Sequence, residues 1–506
     1  MTRALPAFVL IPLVMAFVLP LFGKKGKNAA TVLANLATIT LLVLAIACVG
    51  KKGVYQVGNW SISVGIILVL DGLSSLMLLA IGVISAAAML FSAKYMEQYT
   101  AKSKYLSLFM LMVAGMNGLV LSGDLFNLFV FLEIASLASY ALVGFGCEHE
   151  ELEASFKYMV LGSVSSSFIL FGIALVYGNT GFLNMALVSQ AIRSSGLNPG
   201  LAFALALFIA GFGLKAALVP FHAWLPDAHP SAPAPISAML SGVIIKTLGV
   251  YALARVLFNI FGVSIQIGWL LVALGLLSMV AGAFLAIGQW DLKRLLAYSS
   301  ISQVGYIVLG IGLGAILIAE KANPAWASLA LLGGLFHLVN HAVYKSLLFL
   351  TSGSIQMATG TRQLKEMGGL AQRMPVTRAT CTIASASIAG IPPFSGFWSK
   401  LLLVIAAVQA HFYWIAAIIV FISLCTLIMY LKVQRYAFLG DLPENLQDIK
   451  ENRGPMLAAM VFLACLCVLM GLLVIVPSLR ESILEPAVKV LTAGPGYWAS
   501  AGIIKM

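Results

Sequence analysis

The chain has 506 residues, 61% of them hydrophobic and only 9% charged, whereas about one quarter of a soluble globular protein is charged. That composition excludes a soluble fold, and the lack of alternating strands of about ten residues excludes a transmembrane β-barrel. The formal net charge of +12 sits mainly in short loops, where it reports membrane topology and not a nucleic-acid partner.

Apolar runs of roughly twenty residues, long enough to cross about 30 Å of hydrocarbon, recur from one end to the other. Splitting the chain at loop signals predicts an all-α polytopic membrane protein of about fourteen spans: 4–22, 30–50, 66–92, 105–122, 124–146, 156–178, 199–226, 233–257, 264–288, 296–317, 326–350, 376–407, 412–431 and 455–477. The first run is followed by Gly23-Lys24-Lys25, which reads as a retained helix and not as a cleaved signal peptide. About seventeen Lys and Arg follow odd-numbered spans, among them Lys24, Lys25, Lys157, Lys293, Arg294, Arg362 and Arg453. About nine, including Arg3, Arg193, Arg255 and Lys505, fall on the other side. The positive-inside rule then predicts both termini on the non-cytoplasmic side. The six cysteines form no CxxC pair and read as small apolar packers, without disulfide, iron–sulfur or zinc chemistry.

Apart from the loop cations, four lysines, Lys215, Lys246, Lys345 and Lys400, and one acid, Glu133, fall inside predicted spans. An ionised side chain at the bilayer centre costs at least about 2.5 kcal/mol and persists only with a partner or a water-filled cavity. Lys215, flanked by Gly211 and Gly213, is the expected partner of Glu133, either as a separable pair or as an ion pair that only fixes helix packing. Lys246 adds a second amine removed from water, suited to taking up and releasing protons. His337, His341 and Lys345 recur at i, i+4 spacing beside Tyr344, so three titratable groups share one helix face. No carboxylate or cysteine joins them, which speaks against a metal site. The seventh span breaks at Val219-Pro220-Phe221 and the twelfth at Gly390-Ile391-Pro392-Pro393, with Lys215 before one and Lys400 after the other. Matched breaks of this kind mark inverted-repeat transporters. His222, Asp227 and His229 follow the first break as either a proton-access funnel or a loop-ordering hydrogen-bond set. Glu148, Glu150, Glu151 and Glu153 read as a solvated loop and helix start, with cation attraction as the sharper alternative.

At these residues the sequence resembles the antiporter-like subunit family shared by respiratory complex I, membrane-bound hydrogenases and Mrp-type sodium/proton antiporters. The resemblance runs over roughly residues 60–435. It is carried by the Glu133 span, by Lys215 leading into Pro220-Phe221-His222-Ala223-Trp224-Leu225-Pro226-Asp227-Ala228-His229, by Asp291-Leu292-Lys293-Arg294-Leu295-Leu296-Ala297-Tyr298-Ser299-Ser300-Ile301, and by His337 to Leu350. It implies two inverted five-helix repeats, helices four to eight and nine to thirteen, within a division 1–104, 105–258, 264–440 and 441–506. It also implies a mid-membrane hydrophilic axis in the order Glu133, Lys215, Lys246, His337, His341 and Lys400, with Lys345 as a further candidate. Lys400 looks like the lysine of the Mrp D type and of two complex I types. The chain ends soon after the fourteenth helix, without the long lateral helix of the largest complex I subunit.

The resemblance implies no redox centre and no cofactor in this chain. It implies a prokaryotic inner-membrane location and a hetero-oligomeric complex with other membrane subunits, among whose partners a redox peripheral arm is a candidate. The expected cargo is protons, with sodium as a second candidate. The expected function is proton translocation along the axis, the alternative being a structural membrane-arm subunit that transports nothing itself.

Overall fold

The computed structural model describes residues 2–22, 26–452 and 454–500; Gly23, Lys24, Lys25, Arg453 and Lys505 of the expected topology lie outside them. In chain order the main helices are α1 (Ala7–Val18), α2 (Lys27–Cys48), α3 (Gly72–Tyr95), α4 (Lys102–Leu121), α5 (Leu125–Val143), α6 (His149–Thr180), α7 (Met185–Ser195), α8 (Pro199–Lys215) and α9 (Leu225–Ser231). They continue as α10 (Ala234–Phe261), α11 (Ile265–Ile287), α12 (Leu292–Ala319), α13 (Pro324–Thr359), α14 (Pro375–Ala389), α15 (Ser395–Gln409), α16 (Tyr413–Phe438), α17 (Pro455–Leu469) and α18 (Glu485–Thr492). Among the described residues, 12 helices are long and apolar enough to cross a membrane. Two shorter apolar helices, Pro199–Lys215 and Ser395–Gln409, fall at the expected breaks, an arrangement compatible with fourteen spans.

Side-chain caps explain where many helices start. Asp71, Asp124, Asn184, Asn198, Ser264, Asp291 and Asn323 each accept a hydrogen bond from a first-turn backbone N–H, satisfying donors that have no partner within the helix. Asp71 also corrects the expected third span. Residues 66–70 do not join that helix. Ile67–Leu70 forms strand β2, paired antiparallel with β1 (Gly53–Gln56), and the helix begins only after the aspartate cap. Two further departures follow from polar ends that carry on helically: α6 begins at His149 and α13 runs to Thr359, well beyond the expected 156 and 350. The fourteenth span, expected over 455–477, is present as Pro455–Ile475, with its first regular helix ending at Leu469.

Both expected breaks are present. Proline lacks the N–H that a continuing helix needs and clashes with the preceding turn, and the chain is irregular between Lys215 and Leu225 and again between Ala389 and Ser395. Gly390 sits at φ +84°, a left-handed conformation natural to glycine. α10 is buried along its whole apolar stretch, and Leu240–Tyr251 within it is π-helical. Gly249 lets it approach α8 closely, since a Cβ there would lie 2.5 Å from the Ala216 backbone.

Arg255, counted above among the loop cations, is instead buried within α10. Its Nη2 lies 2.8 Å from Asp71 Oδ2, and its guanidinium faces the rings of Tyr251, Tyr497 and Trp498. Asn259 Nδ2 donates to Val490 O at 2.8 Å, and Trp498 Nε1 donates to Asn259 O at 2.6 Å. This cluster holds the segment around α18 against α3 and α10.

Candidate functional site

Glu133 lies on α5 with Ser136 and Tyr140 at i+3 and i+7 on the same face. Lys215 is the last residue of α8. Its ammonium donates to Ser136 Oγ at 2.9 Å and to Tyr140 Oη at 3.0 Å, and lies 3.9 Å from Glu133 Oε1. The carboxylate also accepts a short hydrogen bond from Ser166 Oγ of α6. Lys215 is therefore held closer by two hydroxyls than by its counter-ion. Glu133 is 28% exposed and Lys215 3%, so the acid sits at the edge of this chain while the amine is enclosed. Gly211 serves contact with α6, where a Cβ would meet Ser165 O at 3.1 Å and Ile169.

Lys246 is fully buried in the π-helical stretch and donates a short hydrogen bond to Ser241 O. A π-turn leaves carbonyls offset from the regular ladder, which gives the amine an acceptor on its own helix.

α13 carries His337, His341 and Lys345, all fully buried. His337 Nδ1 is 2.9 Å from Ser399 Oγ, and its Nε2 is 3.2 Å from Gln303 Oε1. Tyr344 Oη donates to the same Gln303 oxygen at 3.4 Å. Neither ring nitrogen of His341 has a hydrogen-bond partner among the described residues. Ser399 immediately precedes Lys400 in the chain, so its bond to His337 places this imidazole on the Lys400 side. Lys345 donates to Tyr430 Oη at 3.3 Å, which in turn lies 3.0 Å from Ser299 Oγ.

Lys400, on α15, donates to Ile388 O at 2.9 Å and Ala389 O at 3.3 Å. These are terminal carbonyls of α14 freed by the break. The amine thus sits at the negative end of a half-helix and over the Tyr306 ring, 5.0 Å from its centroid. Lys215 and Lys400 both stand beside interrupted helices, as the paired breaks led us to expect. Sequence reasoning missed Ser136, Tyr140, Ser166, Ser399 and Gln303. The i+3 and i+7 offsets from Glu133 would have flagged the first two, and Gln303 is the one amide in the polar run Ser299-Ser300-Ile301-Ser302-Gln303.

His222, Asp227 and His229 do not converge. Asp227 pairs outward with Lys157 at 3.0 Å and Arg294 at 3.2 Å. His229 is fully buried, its ring stacked on Phe349 with centroids 4.5 Å apart.

Residues 122–426 match the family model described as NADH:quinone oxidoreductase/Mrp antiporter, TM, and residues 55–106 that described as NADH-Ubiquinone oxidoreductase (complex I), chain 5 N-terminus. The chain is 35% identical to the N-type NADH-quinone oxidoreductase subunit of Desulforudis audaxviator, with 88% of each chain covered. It is 33% identical to the D-type Na(+)/H(+) antiporter subunit of Alkalihalophilus pseudofirmus, with 92% of each covered. Among solved structures, a chain of the Mrp complex from Dietzia sp. DQ12-45-1b superposes with a TM-score of 0.88 at 30% identity, covering 99% of both.

Proposed function

We propose that this chain, which belongs to the NADH:quinone oxidoreductase/Mrp antiporter membrane family, moves protons along the axis Glu133, Lys215, Lys246, His341, His337 and Lys400. It is an antiporter-like, multi-pass subunit of a multi-subunit complex in a prokaryotic membrane. The observation that carries the reading is the series of buried titratable groups running from the Glu133 edge to the second helix break. A purely structural subunit has no need of buried amines at both breaks.

Glu133 is reachable from a neighbouring subunit because it is partly exposed. A charge change there draws the carboxylate from Lys215, which then keeps only the hydroxyls of Ser136 and Tyr140 and gives up its proton. The proton passes by way of water to Lys246, then His341 and His337, and reaches Lys400 before leaving on the far side. Amines and imidazoles dominate the axis, and among its members only Glu133 offers a carboxylate. A sodium site needs several oxygen ligands, so the cargo of this axis is the proton.

The inverted repeats, 105–258 and 264–440, are supported by a recurring detail. Leu125 N donates to Leu183 O at 2.9 Å in the first, and Leu292 N donates to Arg362 O at 2.9 Å in the second. The preceding aspartates, Asp124 and Asp291, cap the two helices alike, at 2.8 and 2.9 Å. One lies after an even-numbered span and the other after an odd-numbered one, as inversion requires. We assign residues 1–104 and 441–506 to flanking spans and place both termini on the non-cytoplasmic side. Extraction in mild detergent and mass spectrometry of what co-purifies tests the assembly. Iron–sulfur and hydrogenase or dehydrogenase subunits identify a redox-driven pump, and small apolar partners alone identify a gradient-driven antiporter. Purification as a lone chain contradicts the reading.

A further inference from the structure

Trp290 lies in the short connection between α11 and α12, and two lysines from distant parts of the second repeat converge on its ring. Lys365, in the turn Leu364–Glu366, and Lys432, near the end of α16, each place Nζ 4.4 Å from the indole centroid. Tyr436, one turn beyond Lys432, packs edge-on against the same ring, with centroids 5.0 Å apart and planes at 89°. Lys432 is held there by α11, since its ammonium donates to Ile287 O at 2.8 Å and also to Gln289 O. Arg435, at i+3 from Lys432, is exposed on the same side of α16. An indole attracts an ammonium, but two ammoniums on one indole repel each other. Among the described residues none of Lys365, Lys432 and Arg435 has a carboxylate within 4.0 Å. Glu366, next to Lys365 in the chain, instead accepts a short hydrogen bond from Thr361 Oγ1.

The cluster stands at the ends of odd-numbered spans, the face that the charge count makes cytoplasmic, and it borders an apolar surface. Leu285 of α11 and Leu424, Ile428 and Leu431 of α16 are exposed, and the exposed rings of Phe284 and Phe421 join the two helices with centroids 6.4 Å apart. Snorkelling explains why a single lysine reaches the interface, but it does not gather cations from two distant segments onto one ring. Unpaired cations beside Trp and Tyr, with an apolar surface adjoining, complement an anionic phospholipid, which carries its phosphate at the interface and its chains in the hydrocarbon. A soluble anion has no use for the apolar surface, and an acidic protein segment would have to place its charge beside it.

We propose that Lys365, Lys432 and Arg435, gathered around Trp290, bind the phosphate of an anionic phospholipid in the cytoplasmic leaflet, whose chains lie along α11 and α16. The phosphate neutralises cations that find no acid in this chain, and the bound lipid fastens the Lys365 turn to the ends of α11 and α16. The site is independent of the proton axis, and only its leaflet follows from the topology assigned above.

The test titrates the whole complex in detergent with phosphatidylglycerol or phosphatidylcholine whose chains carry bromine, a contact quencher of indole fluorescence. The difference between wild type and Trp290→Phe isolates the signal of this ring. Phosphatidylglycerol is expected to quench that signal saturably and phosphatidylcholine to leave it unchanged at the same concentrations. The Lys365→Gln, Arg435→Gln double variant is expected to raise the phosphatidylglycerol concentration for half-quenching by about 30-fold. Equal quenching by both lipids reveals an unselective lipid contact and overturns the site. No quenching by either, as when a neighbouring subunit covers this face, overturns it as well. Inorganic phosphate at the lipid's concentration is expected to change nothing; phosphate that relieves the quenching makes this a soluble-anion site and overturns the lipid assignment. Should Trp290→Phe fail to assemble, native mass spectrometry counts the phosphatidylglycerol retained by the purified complexes. The double variant is expected to retain less than wild type, and an equal count overturns the proposal.

Discussion

Glu133→Gln isolates the charge that holds Lys215 at rest. The amide keeps the volume of the carboxylate and an oxygen to accept from Ser166 Oγ, so the helix contacts survive and only the negative charge is lost. Unit charges 3.9 Å apart attract by about 4 kcal/mol at an effective dielectric constant of about 20. Solvent reaches the 28% exposed carboxylate and reduces this to about 2 kcal/mol. That energy is what a neighbouring subunit modulates when it draws Glu133 aside. Removing it permanently leaves the switch with one position and lowers the transport rate by about 30-fold, at 1.36 kcal/mol for each factor of ten. The assay is the initial rate of dye quenching in proteoliposomes carrying the reconstituted complex, with subunit content checked by native gel. A rate within about twofold of wild type in an intact complex refutes the reasoning.

Three further outcomes follow from the same geometry. Ser136→Ala and Tyr140→Phe each delete a hydrogen bond to a charged amine, worth about 1.5–3 kcal/mol; each slows transport, and the double variant slows it further in the same assay. Gln303→Leu removes the shared acceptor of His337 Nε2 and Tyr344 Oη and leaves them only each other at 3.4 Å, costing about 1–3 kcal/mol in all, and is read as a lower melting temperature in detergent together with slower transport. Asp71→Asn strands the buried Arg255 charge and destabilises by about 3–5 kcal/mol, whereas the Asp71→Leu, Arg255→Met double variant recovers most of the melting temperature; a double variant no more stable than the single would show that the ion pair is not what Arg255 needs.

The spans were legible because hydropathy and length dominate folding in a bilayer, where every backbone group must be satisfied within its own helix. The breaks were legible too, since proline and glycine act on the backbone locally. Helix ends were less so. The cap at Asp71 turns apolar residues 67–70 into a strand, and the polar first turn of α6 is helical because its own N-terminus favours acidic side chains. The amphipathic α7 lies between spans and gives no bilayer-length signal. In the site, the charged members announced themselves through the cost of burying them. Ser136, Ser399 and Gln303 did not, because neutral polar residues are common in membrane helices and their partners come from other helices. That His337 stands beside Ser399, next to Lys400, was illegible for a related reason: it is fixed by tertiary packing. Arg255 misled in the opposite way, as a cation counted to a loop that is in fact neutralised by Asp71 from another span.

The most direct test of the central claim is proton transport by the complex carrying Lys400→Ala, the far end of the axis and the amine that caps the broken α14. Reconstituted beside wild type and matched for assembled subunits, it is predicted to transport no protons while retaining its partners; transport at the wild-type rate would contradict the axis.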